Sequence, residues 1–345
     1  MLKLKDTDRH IVDGISELLE SAGGLPRVRR LQAGTQSFDR AAWGKLAEHG
    51  WLGAAVPEAQ GGTGLGMREV ALLLEHAGKK LMPEPLVPAL AASVMLARNG
   101  AAGAPLLAEL VAGKTVVAPI EAWEGSKGPT DFAADGHAAD VFVTLIDDKL
   151  VAIPRQTKDV TVETQDTVDG GSIARLKFDG VTLSGLTALA SGEQARDAFR
   201  AGRDLALLGY TALLVGLADE ALAMTVQYLK DRKQFGVPIG SFQALQHRAA
   251  SLYVLGKASR ALLYEACRAS AARRSIAVFA AKSYAAENAM TTVKECVQLH
   301  GAMGYTAEHN MSLYFRRAMA LAVAGGDAIT CRKRLHAERQ LSQDS

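Results

Sequence analysis

Three short stretches carry residues whose types and spacing could do chemistry. The first is Arg232-Lys233-Gln234-Phe235-Gly236. An arginine near a helix end beside a glycine turn is favourable to the helix dipole as a solvated charge. The same guanidinium could instead clamp a pyrophosphate, with turn amides nearby and Phe235 offering a flat apolar face. The second stretch is Gln298-Leu299-His300-Gly301-Ala302-Met303-Gly304-Tyr305, a glycine-spaced turn that by itself is commonly a helix C-terminus. The third is Ala324-Gly325-Gly326-Asp327, a flexible turn after an apolar run. A glycine-rich loop, AVPEAQGGTGLG, could cradle a phosphate. No Gly-Lys-Ser/Thr follows it, so a turn-rich connector is the expectation.

Composition narrows what these stretches can serve. The chain has 345 residues, with 39 Lys plus Arg against 37 Asp plus Glu, a formal charge of +2. That balance excludes the broad basic footprint of a general nucleic-acid binder. A 48% hydrophobic and 22% charged composition is that of a globular chain, and the length suits two or three packed units. The apolar surplus at low net charge hints that some surface is covered by another subunit. The three cysteines, Cys267, Cys296 and Cys331, lie far apart with no His or Cys at ligand spacing. Neither a disulfide framework nor a metal site follows. The start, MLKLKDTDRHIVDGISELLE, lacks the apolar stretch of a secretion signal. No run of about 18 apolar residues escapes a charge or a helix breaker, so no membrane span is expected. Together these features predict a soluble protein of a reducing compartment, the cytoplasm.

The elements that must position the three stretches follow from periodicity. Residues 1–112 read as a helical domain, with a helix flanked by Phe38, Trp43, Leu46, Trp51 and Leu52, and a second, REVALLLEHAGKKL, closed by Gly78 and three prolines. Residues 113–190 read as a short β-domain. TVVAPIEAW, DVFVTLI, KLVAIP, VTVET and SIARLKFDGVTLSG are β-branched runs bounded by Gly, Asp or Pro. Residues 191–345 read as a helical bundle. A Leu- and Ala-rich helix spans about 196–231, where Gly209 and Gly216 permit close helix contact, and two more span about 241–272 and 275–300. Between the first two, Gly236 suits the position after a helix end, Pro238 stops the helix, and Ser241 is the expected N-cap of the next.

Taken in order, these stretches resemble the acyl-CoA dehydrogenase family of flavoproteins over essentially the whole chain. GWLGAAVPEAQGGTGLGMREVALLLEHAGKKLMPEP is similar to that family's N-terminal helical domain. YLKDRKQFGVPIGSFQALQHRAASLY is similar to its R-x-x-F-G…F-Q segment, and VQLHGAMGYTAEHNMSLYFRRAMAL to its Q-x-x-G-G-x-G-Y segment and following helix. The resemblance implies an α+β, mostly α fold: an N-terminal helical domain, a β-domain and a C-terminal four-helix bundle. It implies FAD at a subunit interface, an acyl-CoA substrate and electron-transfer flavoprotein as the electron acceptor. Carried over residue by residue, Arg232, Gln234 and Phe235 would hold the diphosphate and adenosine end of FAD. Gln298 and Gly301 would form the opposing half, with Ala302 in place of the usual second glycine.

The same resemblance implies a missing base. The family removes the acyl α-proton with a carboxylate while the β-hydride passes to the flavin. Gly325 stands at the usual position of that base, and Ala206 at the position some branches use. Asp327 and Asp204 are the nearest carboxylates. The strand end Ala118-Pro119-Ile120-Glu121-Ala122-Trp123-Glu124-Gly125 departs from the family pattern, no strand matches the one that covers the flavin ring, and the β-domain is short for the family. Trp123 could face a flavin or belong to a core. The pattern is similar to the short, base-less subunits of bacterial hetero-oligomeric acyl-CoA dehydrogenases of fatty-acid or steroid degradation, whose full-length partner supplies the base. Two other readings stand beside it. One is a homomeric enzyme whose base is Asp327 or Asp204, its pKa raised near a buried flavin. The other is a flavin-free scaffold or acyl-CoA-binding protein.

Overall fold

The computed structural model describes residues 6–33, 38–120, 132–178 and 186–341, and it is mostly helical, with a small strand region in the middle of the chain. Its contacts divide it into two compact units that do not follow chain order. One holds residues 1–30, 71–82 and 207–345, the other residues 31–70 and 83–206.

In the second unit, α3 (Arg40–Glu48) begins where Asp39 accepts from the amides of Ala41 and Ala42 at 2.9 and 3.3 Å. That is the capping expected of an aspartate before a helix. Trp43 and Leu46 are buried, and a short 3₁₀ turn, Trp51–Gly53, follows. The glycine-rich loop folds back on this turn: the amides of Thr63, Gly64 and Leu65 donate to the carbonyls of Gly53, Val56 and Ala54. Those amides are spent on the chain's own backbone, so the loop is a connector and not an anion cradle. The helices α5 (Leu86–Ala97) and α6 (Gly100–Val111) also belong to this unit.

The strand region forms two sheets. The strands β1 (Val117–Pro119), β3 (Val141–Ile146), β4 (Lys149–Pro154) and β7 (Thr187–Ser191) make one, in the order β1-β3-β4-β7, with β1 parallel to β3 and the other pairs antiparallel. The other is antiparallel, ordered β2-β6-β5, from β2 (Phe132–Ala134), β6 (Ser172–Phe178) and β5 (Val160–Asp166). Ser172, Ala174 and Leu176 alternate inward along β6, and the last two join Ile120, Phe142, Val151 and Ile153 in one apolar cluster drawn from both sheets. The β3–β4 hairpin turns on Asp147 and Asp148, both at positive φ, as a two-residue loop requires. Strands β2 and β7 are not foreseen by periodicity, being three and five residues long. The segment with Trp123 lies outside the described residues.

In the first unit, α4 (Met67–Lys79) from Ala71 onward packs against α7 (Gly192–Asp231) from Leu207 onward. Two glycines make the crossing possible. A Cβ at Gly216 would sit 1.8 Å from the Glu75 carbonyl, and one at Gly78 would sit 2.3 Å from the Leu213 carbonyl. Gly78 therefore permits a close approach, and the helix ends at Lys79, with Leu81 taking the left-handed turn. Helix α7 is long and apolar enough to cross a bilayer by length and composition, against the expectation from its sequence. The apolar window is 83% buried inside the protein, as in a core helix.

The next helix, α8 (Gln243–Arg268), has Phe242 in its N-cap position with no side-chain capping bond, and Ser241, the expected cap, instead closes a 3₁₀ turn through its hydroxyl to the Pro238 carbonyl at 2.7 Å. The central element is α9 (Ala271–His300), against which α8, α11 (Met311–Val323) and α12 (Ala328–Leu341) all pack.

A buried charge cluster ties this unit together. The Arg260 guanidinium reaches Glu75 at 2.6 Å and Asp219 at 3.0 Å, and Lys79 lies 3.7 Å from Asp219. His76 stands among these charges. Burial first, then Lys79 and Arg260, push its pKa down from 6.5 to about 4, against the opposing pull of Glu75 and Asp219. Burial also lowers His137, His300 and His309. Each depressed histidine binds its proton more readily in the unfolded chain. The stability each contributes is full above pH 6.5 and falls as pH drops below it, and for His76 the loss continues toward pH 4. Thermal midpoints are expected to drop between pH 7 and pH 5, and His76→Gln to shrink that drop. An undiminished drop in the variant would remove His76 from the account.

Candidate functional site

The first two chemical stretches lie at the ends of α7 and α9, and an aromatic contact brings them together. Tyr228 stacks on His300 with ring centroids 4.6 Å apart and planes 27° from parallel. Tyr228 is one turn before Arg232, whose amide donates to the Tyr228 carbonyl at 2.9 Å. His300 directly precedes Gly301, the C-cap of α9. The stack thus sets the end of α7 beside the turn that follows α9.

On the α7 side, the chain leaves the helix at Asp231 and forms a hairpin of β8 (Lys233–Gln234) and β9 (Val237–Pro238). Gly236, expected directly after a helix end, is instead at the hairpin tip, and Pro238 lies in β9. Both tip residues have positive φ, 54° at Phe235 and 83° at Gly236, the pattern of a type I′ turn. An aromatic residue at positive φ is uncommon, and here the ring is 92% exposed. Arg232 is exposed too, and among the described residues its guanidinium has no ion-pair partner. Its neighbour Asp231 is engaged by the Gln227 amide at 2.9 and 3.0 Å.

On the α9 side, Gly301 has φ 62° and ψ −142°, a conformation that glycine alone adopts without strain. Nothing lies within 4 Å of where its Cβ would stand, so a ligand could approach this backbone. Gln298 is exposed, and so is Ala302, which opens the short helix α10 (Ala302–Tyr305). The Ala302 methyl is therefore not packed against the protein's interior.

A further set of residues shapes this end. His300 is 2% exposed, and its Nδ1 lies 2.8 Å from the Cys296 carbonyl, which can only accept. Nε2 is buried with no hydrogen-bond partner among the described residues. Its second ring neighbour is His309, 4.7 Å away, whose Nδ1 accepts from the Met311 amide at 3.2 Å. Arg29 pins the loop carrying His309, donating to the carbonyls of Ala307 and Glu308 and, at 3.0 Å, to the Asn310 side chain. None of these residues was singled out from sequence. An aromatic residue four positions before Arg232 and a histidine beside Gly301 were the available signals; for Arg29, far away in sequence, there was none.

The third stretch follows α11. Gly325 has φ 70°, and Asp327 N-caps α12, accepting from the Thr330 amide at 2.7 Å. That bond, helped by Lys282 and Lys333, holds the Asp327 carboxyl below the usual carboxylate range. A general base for carbon acids works best when its pKa is raised toward the working pH, so Asp327 is tuned in the opposite direction. Asp204 is 4% exposed and paired with the Arg203 guanidinium at 3.1 Å. Ala206, like Gly325, offers no titratable group.

Comparison with known proteins identifies the family of this mostly helical chain with its two-sheet insert. The family model of the acyl-CoA dehydrogenase N-terminal domain matches residues 5–104, and that of the C-terminal domain matches residues 202–338. Acyl-CoA dehydrogenase IpdE2 of Mycobacterium tuberculosis is 32% identical over 308 residues, covering 88% of each chain. Among solved structures, the Tcur3481-Tcur3483 steroid ACAD superposes with a TM-score of 0.86 at 26% identity, covering 98% of this chain and 99% of that one. The ChsE4-ChsE5 complex of Mycobacterium tuberculosis superposes with a TM-score of 0.85 at 25% identity, covering 98% of each. The chain belongs to the acyl-CoA dehydrogenase family, a family of oxidoreductases.

The role of Asp327 is open to a direct test. If it serves as a cap, Asp327→Ala costs about 1 kcal/mol of stability and Asp327→Asn restores most of it, because asparagine caps as well as aspartate. Equal losses in the two variants, read from denaturant unfolding, would show that the carboxylate itself matters.

Proposed function

We propose that this chain is the base-less subunit of a hetero-oligomeric, FAD-dependent acyl-CoA dehydrogenase of the cytoplasm, acting on fatty or steroid-derived acyl-CoA. The observation that carries this reading is the pairing of an assembled clamp with an empty base position. Arg232, Gln234 and Phe235 stand exposed at one end of the Tyr228–His300 stack, and Gln298, Gly301 and Ala302 at the other, while position 325 carries glycine.

The residues fit the diphosphate end of FAD. An unpaired guanidinium makes charge-assisted bonds to pyrophosphate oxygens. The open backbone at Gly301 lets a phosphate come within hydrogen-bond range of the chain, the Gln298 amide adds donors, and the projecting Phe235 ring offers an apolar face to an adenosine. When bound, FAD would accept the hydride from the acyl β-carbon. This chain's residues would bind and orient its far end. The carboxylate that takes the α-proton would come from a full-length partner subunit, and electrons would leave to electron-transfer flavoprotein. Two of the structures this chain resembles, the Tcur3481-Tcur3483 steroid ACAD and the ChsE4-ChsE5 complex, pair differently named chains, which supports a mixed assembly. A homomeric enzyme relying on Asp327 or Asp204 is disfavoured by the helix cap and the ion pair that occupy those groups.

Flavin content tests the reading. Co-expression with its genomic neighbour is expected to yield a yellow complex where the chain alone is colourless. Tight flavin on the isolated chain together with acyl-CoA turnover would overturn it, and colourless protein in both cases would leave a flavin-free scaffold. In the active complex, Arg232→Ala should weaken FAD retention about tenfold to a hundredfold, the loss of one charge-assisted contact. Unchanged retention would remove Arg232 from the site.

A further inference from the structure

The turn at residues 324–327 is held from three sides within one unit. Lys282, in the middle of α9, is fully buried, and its ammonium donates to the carbonyls of Ala322 at 3.0 Å and Gly326 at 3.1 Å. The Ala322 carbonyl belongs to the last turn of α11, where no intrahelical partner remains. The Gly326 carbonyl lies just before α12 and also accepts from the Cys331 thiol at 3.4 Å. A buried ammonium keeps its charge only while such acceptors stay in place, so the turn cannot swing away without stranding it. Beyond this tether, the Asp327 cap fixes the start of α12.

Between these anchors, the backbone is left-handed, with φ 70° at Gly325 and 107° at Gly326. A Cβ on Gly325 would stand 3.0 Å from Leu207 Cδ2 and 3.2 Å from Tyr210 Cδ2. Both side chains belong to α7 and are buried, Leu207 at 1% and Tyr210 at 4% exposure. Neither can retreat cheaply in a close-packed interior. A side chain at this position is strained by the left-handed backbone and presses on two buried side chains that would have to give by a few tenths of an ångström.

We infer that Lys282, Leu207 and Tyr210 hold position 325 for glycine, so that a carboxylate placed there by a single substitution costs stability and restores no proton abstraction. The inference rests on the reading that position 325 is the family's base position. It adds that the loss is built into the packing of the turn. Tyr210 and Leu207 oppose a side chain by standing at tight contact with its Cβ; Lys282 opposes it by tethering the turn.

The test uses the chain in its co-expressed complex and reads thermal midpoint and acyl-CoA turnover. Gly325→Ala and Gly325→Glu are each expected to lower the midpoint, the alanine by about 2–8 °C for one residue forced into a left-handed backbone. Gly325→Glu should add no turnover beyond the parent complex. Adding Tyr210→Ala to Gly325→Ala should cost less than the two single losses combined, because it removes one of the two tight contacts. An unchanged midpoint in Gly325→Ala, strictly additive losses in the double variant, or new turnover in Gly325→Glu would each overturn the inference. Should Gly325→Glu fail to fold, the alanine variant and the double variant decide the question. Reading the midpoints both in the flavin-loaded complex and after flavin is stripped from it separates this inference from the proposed function, since a loss seen in both forms does not come from flavin retention.

Discussion

The stack of Tyr228 on His300 is the contact on which the candidate site depends. Without it, two motifs more than sixty residues apart would be two unrelated helix ends. Aromatic pairs of this geometry stabilise modestly beyond the area they bury. Their greater effect here is positional. The ring of His300 is held by its own hydrogen bond to the Cys296 carbonyl on one side and by His309 on the other, and Arg29 fixes the loop that carries His309. From this end Arg232 projects exposed, without an ion-pair partner among the described residues, and Phe235 projects exposed with its ring edge-on to Phe242 at 6.3 Å. An exposed aromatic ring beside an exposed guanidinium is surface that a ligand can cover.

The opposite character belongs to the turn after α11. There every group has a partner: a buried ammonium takes two carbonyls, a carboxylate caps a helix, and glycines absorb a backbone no other residue accepts. Both regions belong to the same compact unit, one exposed and the other already closed.

Much of the architecture was legible beforehand because periodicity and punctuation encode local structure. The long Leu- and Ala-rich helix, Gly216 as a close-contact residue and the strand-rich middle all follow from residue type and spacing. The readings that changed share one cause, which is that neighbours in space outrank neighbours in sequence. Gly78 looks like a helix stop and proves to be the place where α4 meets Leu213. Ser241 looks like a cap and closes a 3₁₀ turn. Gly236 looks like the end of a helix and forms a hairpin tip with Phe235. The apolar window of α7 passes for a membrane span by length and is buried in a core.

By itself, the sequence determined the family and the order of helical and strand-rich parts, because those are matters of motif and composition. Only the tertiary structure decided that the turns after α7 and α9 meet, through a ring stack no spacing rule predicts. It alone showed that Asp327 and Asp204 are already committed to a cap and an ion pair, and that position 325 is tightly flanked by residues more than a hundred positions away. A motif states which groups are present, while packing decides which of them are still free to react.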